Sequence, residues 1–276
     1  TKNPEEKPYF LTNQSAGSFN TFKHSFEAGT GKFLNNLLSV SARYSIINSD
    51  GYIDRAFSKL NSYNINALFE KGNTKLRFLT FGGKEKTYQA WNGIDKATYE
   101  SNPKFNYSGA IYDANWENII GFYDNETDNY RQNHYHLLWE QKLGKIWNLE
   151  TTFHLTHGEG YYENYKQDAK FSKYDLPNIV ENGNTITRTD FIRKKWLDND
   201  FYGVVSNLYG NFENLNLNFG VAANQYFGRH FGNVSGVKYT DIFEHEYYRN
   251  NALKNEVSGF AKANYKMEKL EFFGDL

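Results

Sequence analysis

The sequence predicts an all-β fold, an antiparallel transmembrane β-barrel segment of about ten strands with short periplasmic turns and long extracellular loops. Three observations carry that expectation. Apolar and polar residues alternate with period two in segment after segment: Tyr135, Leu137, Trp139 and Leu143 fall on one face, His134, His136, Glu140 and Lys142 on the other. A strand so patterned has one oily and one wet face. The oily positions are rich in rings, the chain carrying 22 Tyr and 23 Phe in 276 residues, and where many such strands occur together the solvent beside the rings is lipid. Finally, the connections alternate between very short and very long.

The first candidate strand, residues 18–27, carries Phe22 and Phe26 on its oily face but interposes His24, which weakens its register. Residues 37–47 set Arg43 on the wet face and Tyr44 on the oily one, and residues 61–70 set Tyr63 on the oily face. Residues 75–83 turn Lys75 and Arg77 to the wet side. Residues 133–143 and 147–157 are joined by a three-residue turn that places Leu143 opposite Trp147, Leu137 opposite Phe153 and His136 opposite His154. Residues 201–212 and 215–228 turn at Glu213 and Asn214, so Phe212 faces Leu215, Leu208 faces Phe219 and Val204 faces Ala223. Residues 255–267 and 270–276 turn at Glu268 and Lys269, with Met267 opposite Leu270. Oily meets oily in all three hairpins, as one shared oily face demands.

The remaining short connections are residues 28–36 and 71–74. The long ones are 48–60, 84–132, 158–200 and 229–254; loops beyond about 15 residues are uncommon in compact domains and are usually functional. Tyr44, Tyr63, Tyr135, Trp139, Trp147, Tyr202 and Tyr265 read as lipid-facing and girdle residues.

Composition removes several classes. Mean hydropathy is clearly negative and no run of about 18 apolar residues exists, so no transmembrane helix can be drawn, a test that barrels escape because alternate residues face water. With no Cys, neither a disulfide framework nor a thiolate metal site can form. A net charge of -1 with scattered Lys and Arg gives no argument for nucleic acid. No secretory leader stands before Thr1, so an export signal is read as cleaved or as absent from this sequence. The last segment stops mid-alternation, short of the nine to eleven residues that span a bilayer, and an unpaired edge in lipid costs several kcal/mol per orphan backbone group. Residues 1–276 therefore read as a partial barrel domain.

Six stretches carry a family resemblance: SDGYIDRA (Ser49 to Ala56), GKEKTYQAWNG (Gly83 to Gly93), NYRQNHYHLLW (Asn129 to Trp139), THGEGYYENYK (Thr156 to Lys166), TRTDFIRKKWLDNDFYG (Thr187 to Gly203) and the tail NEVSGFAKANYKMEKLEFFGDL. Together they resemble the central barrel of TonB-dependent outer-membrane receptors of the Bacteroidetes type, from about residue 40 to the end. The resemblance implies an N-terminal plug inside a barrel of about 22 strands, an outer-membrane location, and import of an iron chelate, cobalamin or a glycan with energy from the TonB complex. The TonB-contacting segment, the plug and the other strands of such a receptor are not in this sequence. The partners expected are outer-membrane lipid, the parent's own plug and TonB complex, and a small-molecule chelate, with iron chelate of the siderophore kind placed first and cobalamin, haem or glycan as alternatives.

Candidate ligand residues follow from register and loop position. His136 and His154 are cross-strand neighbours on the wet face, within reach of one shared metal or haem iron, with His134 and His157 expected close by. Tyr88, Trp91, Tyr161 and Tyr162 lie in the two longest loops, where rings stack on a sugar, a catecholate or a macrocycle. Arg43 and Arg77, with Lys75, Lys142 and Lys262, project inward and could draw an anionic chelate. Each group has a plainer reading as solvated wall or as ring packing between loops. Asp124, Glu126 and Asp128, and Asp198 and Asp200, lack the glycine and distal glutamate of a calcium loop. No cofactor is expected.

The rival functions are an autonomous ten-stranded barrel, either a pore or a hydrolase. A hydrolase needs a general base beside a nucleophile; the best candidate is Glu244-His245-Glu246, and neither G-x-S-x-G nor H-E-x-x-H is present. The chain is therefore expected not to be an enzyme.

Overall fold

The computed structural model describes residues 3–276. In chain order its elements are β1 (Pro8–Gly17), β2 (Thr21–Phe33), β3 (Leu38–Ser49), β4 (Ser58–Lys71), β5 (Thr74–Tyr88), α1 (Lys96–Ser101), β6 (Ala110–Tyr112), β7 (Ile119–Phe122), β8 (Thr127–Leu143), β9 (Trp147–Lys170), β10 (Ile179–Glu181), β11 (Asn184–Ile186), β12 (Arg188–Asn211), β13 (Leu215–Gly236), β14 (His245–Met267) and β15 (Leu270–Asp275). Eleven strands form one antiparallel sheet in the order β1-β2-β3-β4-β5-β8-β9-β12-β13-β14-β15. The pairs β6-β7 and β10-β11 are two small hairpins within the long connections.

All three hairpin registers hold. Leu143 pairs with Trp147 and His136 with His154, Leu208 with Phe219 and Val204 with Ala223, and Met267 with Leu270. The weak first segment is a strand as well: His24 stays between Phe22 and Phe26, stacks on the Phe22 ring at 6.4 Å and bonds to Gln14 across the β1-β2 pair.

Two expectations need correction. The sheet has an eleventh strand, β1, whose oily face is interrupted by Thr12 and Gln14 and so leaves no clean alternation to read. The strands also run further than expected: β9 and β12 are 24 residues each, β13 is 22 and β14 is 23. At about 3.3 Å per residue they extend well beyond the nine to eleven residues a bilayer needs. The four connections at that end shrink to residues 50–57, 89–126, 171–187 and 237–244. Beyond the apolar rows the face that had been oily carries Glu159, Asp198 and Arg229, so the pattern ends although the strand continues.

One face of the sheet is apolar and uncovered. Val257 is 84 % exposed, Leu253 60 % and Phe78 44 %, and Leu137, Trp139, Phe153 and Phe219 lie on the same side. An exposed apolar surface of this extent needs a non-aqueous cover, and among the described residues no second sheet packs on it as a sandwich requires. Its close packing along the sheet fixes some residue choices. A Cβ on Gly210 would come within 2.5 Å of the Trp147 ring, so glycine there lets the indole lie flat across β12.

Packing of the ordinary buried kind sits at the other end, among the long connections. Phe171, Tyr174, Phe191 and Val234 are fully enclosed, with Leu176, Ile179, Ile186, Tyr239 and Ile242 around them. The helix α1 is a single capped turn, its Asp95 carboxylate accepting from the Thr98 N–H at 3.0 Å.

Candidate functional site

Alternation sorts the expected site residues by face and height. On the polar face, Arg43, in the row of Asn64, Phe81 and His134, donates through Nε to the Ser25 and Ser45 hydroxyls at 3.2 Å each, and Arg77, lower down, donates to the Asn3 side chain. Lys75 is paired with Glu70 at 3.3 Å, and Glu70 also meets Lys32. Glu140 and Glu150 stand directly opposite one another on the same face. Like charges in that relation repel.

At mid-height, three imidazoles form an edge-to-face row: His134 and His136 lie 6.1 Å apart between ring centres, His136 and His154 6.5 Å. Phe81 stacks on His134 at 4.3 Å and Phe201 leans on His154 at 4.9 Å. Both nitrogens of His134 are engaged, with Thr156 Oγ1 and Gln132 Oε1, and His154 Nε2 meets Asn224 Oδ1 at 2.9 Å. The His136 ring nitrogens make no hydrogen bond among the described residues. His157, expected beside them, is on the other face, where its Nδ1 meets Asp200 at 2.8 Å. An odd-numbered position on β9 cannot share a face with His154.

Above the histidines, the polar face opens into two adjoining hollows of about 410 and 310 Å³ that share Tyr130. The first is floored by Ile47, Leu60 and Phe81 and edged by Glu85, Gln132 and His134. The second is lined by Asp128, Tyr162, Lys195, Leu197, His230 and Tyr248. Gly160 lets them meet: a Cβ there would lie 2.2 Å from the Asn129 carbonyl oxygen and 2.8 Å from the Tyr130 ring. Burial pushes the Asp128 carboxyl above its usual range, and burial with the neighbouring Asp128 charge does the same for Glu85. Burial, and then the Tyr162 hydroxyl, raise Tyr248. The hollows thus offer ring faces, protonated phenols and carboxyls that hold their protons more tightly than usual, beside the cation of Lys195. Such a surface stacks on flat groups and hydrogen-bonds to polar ones.

The four aromatic candidates separate. Trp91 is 59 % exposed and meets Tyr162 edge-to-face at 5.6 Å, so these two belong to the rim of the hollows. Tyr161, the next residue along β9, points to the opposite face and stacks against Trp196 at 4.3 Å. Tyr88 is 4 % exposed, and its hydroxyl lies 3.0 and 2.8 Å from the Ser108 and Tyr123 carbonyl oxygens, which ties it to the loop interior.

Residues 89–126 are held down by a buried polar network. Gln89 donates to the Thr127 and Glu163 carbonyls, Asn164 donates to Gln89 and to Glu126, and the Tyr165 N–H donates to Glu126 at 2.8 Å. Asn106 reaches the Asp54 and Gln89 carbonyls, while Arg55 lies over the Phe122 ring at 3.6 Å. Glu126 is thus a structural acceptor. Asp198 and Asp200 are bridged by Arg229 at 2.6 to 2.8 Å, so a guanidinium already balances the one group of ligand atoms close enough for a metal ion among the described residues. The Glu244-His245-Glu246 triplet is dispersed: Glu244 pairs with Lys194, Glu246 with Arg249, and His245 Nε2 meets the Tyr174 carbonyl oxygen.

Tyr130, Lys195, His230 and Tyr248 were not among the expected site residues. Continuing the alternation of β8 and β9 past the apolar rows places Tyr130 and Tyr162 on the face of His136, and that is the signal that could have found them.

No family model matches the sequence, and no curated protein matches it. Solved structures do match the fold. The ferripyoverdine receptor of the outer membrane of Pseudomonas aeruginosa bound to ferripyoverdine superposes with a TM-score of 0.66 at 12% identity, over 99% of this chain and 37% of that one. The copper transporter OprC gives 0.65 at 12% identity, over 99% and 37%. The ferric-catecholate import receptor Fiu from E. coli K12, in its open form, gives 0.64 at 11% identity, over 100% and 44%. These neighbours are TonB-dependent outer-membrane receptors, transport proteins and not enzymes. The chain has the fold of part of their barrel and spans about two fifths of their length.

Proposed function

We propose that this chain is a stretch of barrel wall from a TonB-dependent outer-membrane receptor of the Bacteroidetes type, residues 1–276 forming a partial barrel domain, and that the parent imports an iron chelate of the siderophore kind. The observation that carries the ligand-binding part is the aromatic double hollow around Tyr130, on the polar face and at the end where the long connections gather. In a closed barrel that face lines the lumen, and the hollows lie where a ligand arriving from outside first meets the wall.

Two further features support a larger parent. β1 and β15 are open edges of the described sheet, and in lipid such edges need further strands to pair with them. On the polar side Glu140 faces Glu150, and the one cation directly opposite Glu140, Lys75, is already paired with Glu70, so a further basic group from within the lumen, as a plug domain would supply, balances the row. Energy for release comes, on this reading, from TonB acting on that plug.

The ligand set we assign is Trp91, Tyr130, Tyr162 and Tyr248, with Lys195 as the cation and His136 and His154 lower in the path. Arg77 lies below them and Arg43 in the row of His134, and both serve passage through the lumen. The test is titration of the full-length protein with a ferric tris-catecholate, followed by Trp fluorescence and calorimetry. Trp91→Ala and Tyr130→Ala are each expected to weaken binding by about tenfold, or 1.4 kcal/mol. Unchanged affinity in both, or tight binding of cobalamin or an oligosaccharide in place of the chelate, overturns the assignment.

A further inference from the structure

Four cations stand together on the apolar side of the sheet, just beyond the last apolar rows. Lys59 on β4 is directly opposite Lys86 on β5, and Lys84 on β5 is directly opposite Arg131 on β8. Residues so paired share a face with Cβ atoms about 5 Å apart, and like charges in that relation destabilise the sheet. Here two such pairs are stacked on three adjacent strands.

The block is poorly compensated. Arg131 meets Glu159 at 2.5 Å. Lys86 donates to the Asn125 amide oxygen at 2.7 Å, and Lys59 lies 5.3 Å from the Phe57 ring, neither of which supplies negative charge. For Lys84 no carboxylate partner occurs among the described residues. The neighbouring strands show the usual solution at the same height, where Arg229 is clasped by Asp198 and Asp200.

Height identifies what is missing. Below the block on the same face come Tyr63, then Ile65 and Tyr135, then Phe78 and Leu137, then Phe69, Leu76 and Trp139. The climb from Thr74 at the turn to Lys84 is about ten residues; at about 3.4 Å each and a tilt of about 40° it rises roughly 26 Å, the height of a barrel's apolar band. Lys84 and Arg131 therefore meet the upper boundary of the hydrocarbon, and Lys59 and Lys86 stand one row above it. That is where lipid headgroup phosphates lie.

We propose that Lys59, Lys84, Lys86 and Arg131 form a binding site for the phosphate of an outer-leaflet lipid headgroup, with the acyl chains lying on the rings beneath. The inference rests on the membrane-wall reading given above. The phosphate neutralises two cross-strand repulsions at once, and the site grips one lipid against this part of the wall.

The test uses the full-length protein in phosphatidylcholine vesicles containing one part in ten of lipid A, either phosphorylated or enzymatically dephosphorylated. Incorporation is scored first by flotation, and lipid A retained after mild extraction is then counted by native mass spectrometry. The unaltered protein is expected to retain phosphorylated lipid A. A variant with Lys59→Gln, Lys84→Gln, Lys86→Gln and Arg131→Gln is expected to float equally but retain at least about tenfold less. Lys71→Gln, at the opposite border of the apolar band, should change nothing. Equal retention by the quadruple variant, or equal retention of dephosphorylated lipid A, overturns the proposal while leaving the membrane wall intact. Block-dependent binding of inorganic phosphate without lipid replaces the lipid by a free anion and also overturns it. Failure of the unaltered protein to float removes the wall reading and this site with it.

Discussion

The two ends of the same sheet are stabilised in opposite ways. At the turn end, residues such as Leu137, Phe153 and Val257 make an exposed apolar face, and the opposite face is polar. At the loop end, Phe171 and Phe191 are wholly enclosed, and a polar network of Gln89, Glu126 and Asn164 is buried beneath residues 89–126. The strands run through both regions without a break. One end therefore needs a non-aqueous cover, which we propose is lipid, whereas the other carries its own core.

The largest effect expected from breaking this contrast lies in the loop end. Phe191→Ala empties a fully enclosed site and should cost about 3–5 kcal/mol of local stability. Amide exchange should then rise across residues 171–187 and 237–244 and stay unchanged at the turn end. Next comes a pair of adjacent substitutions in the wall. Leu137→Arg puts a charge at the apolar face and should cost about 2–4 kcal/mol in a bilayer, whereas Leu138→Arg points to the wet face and should cost far less. Urea unfolding of the full-length protein in vesicles separates them, and equal costs would contradict the assignment of faces.

A smaller loss is expected from Gln89→Leu, which leaves the Thr127 and Glu163 carbonyls and the Asn164 amide short of partners, at about 1–3 kcal/mol. Limited proteolysis between residues 89 and 126 should accelerate with the wall protected. The smallest effect is a pH dependence. Burial raises the Glu126 carboxyl above its ordinary value near 4.5, outweighing the Tyr165 N–H and Asn164 bonds that favour its charged form. An acid whose folded pKa is raised binds its proton more tightly when folded, so its contribution is complete below about 4.5 and fades as pH rises through the raised value. Exchange protection of residues 89–126 should therefore fall over that interval, and Glu126→Gln should flatten the dependence.

The lower half of the molecule was legible because one uniformly apolar face opposite a polar one imposes a strict alternation. Leu137, Leu208 and Met267 each identified a partner across a turn, and each pairing is present. The upper halves of β9, β12, β13 and β14 were hidden for the complementary reason: once Glu159, Asp198 and Arg229 take the outward positions, both faces are polar and period two disappears from composition. The site inherited that limit. Tyr161 and Tyr162 read as one loop pair until the strand put them on opposite faces, and Tyr88 read as a free ring because nothing in sequence shows Ser108 and Tyr123 returning to its hydroxyl.

The central claim is that the uncovered apolar face dissolves in hydrocarbon, and depth-dependent quenching tests it most directly. Full-length protein carrying either Trp139 or Trp91 as its one tryptophan is reconstituted with lipids brominated near mid-chain. Strong quenching of Trp139 with none at Trp91 is the predicted result. Equal quenching at both positions, or none at Trp139, contradicts the account.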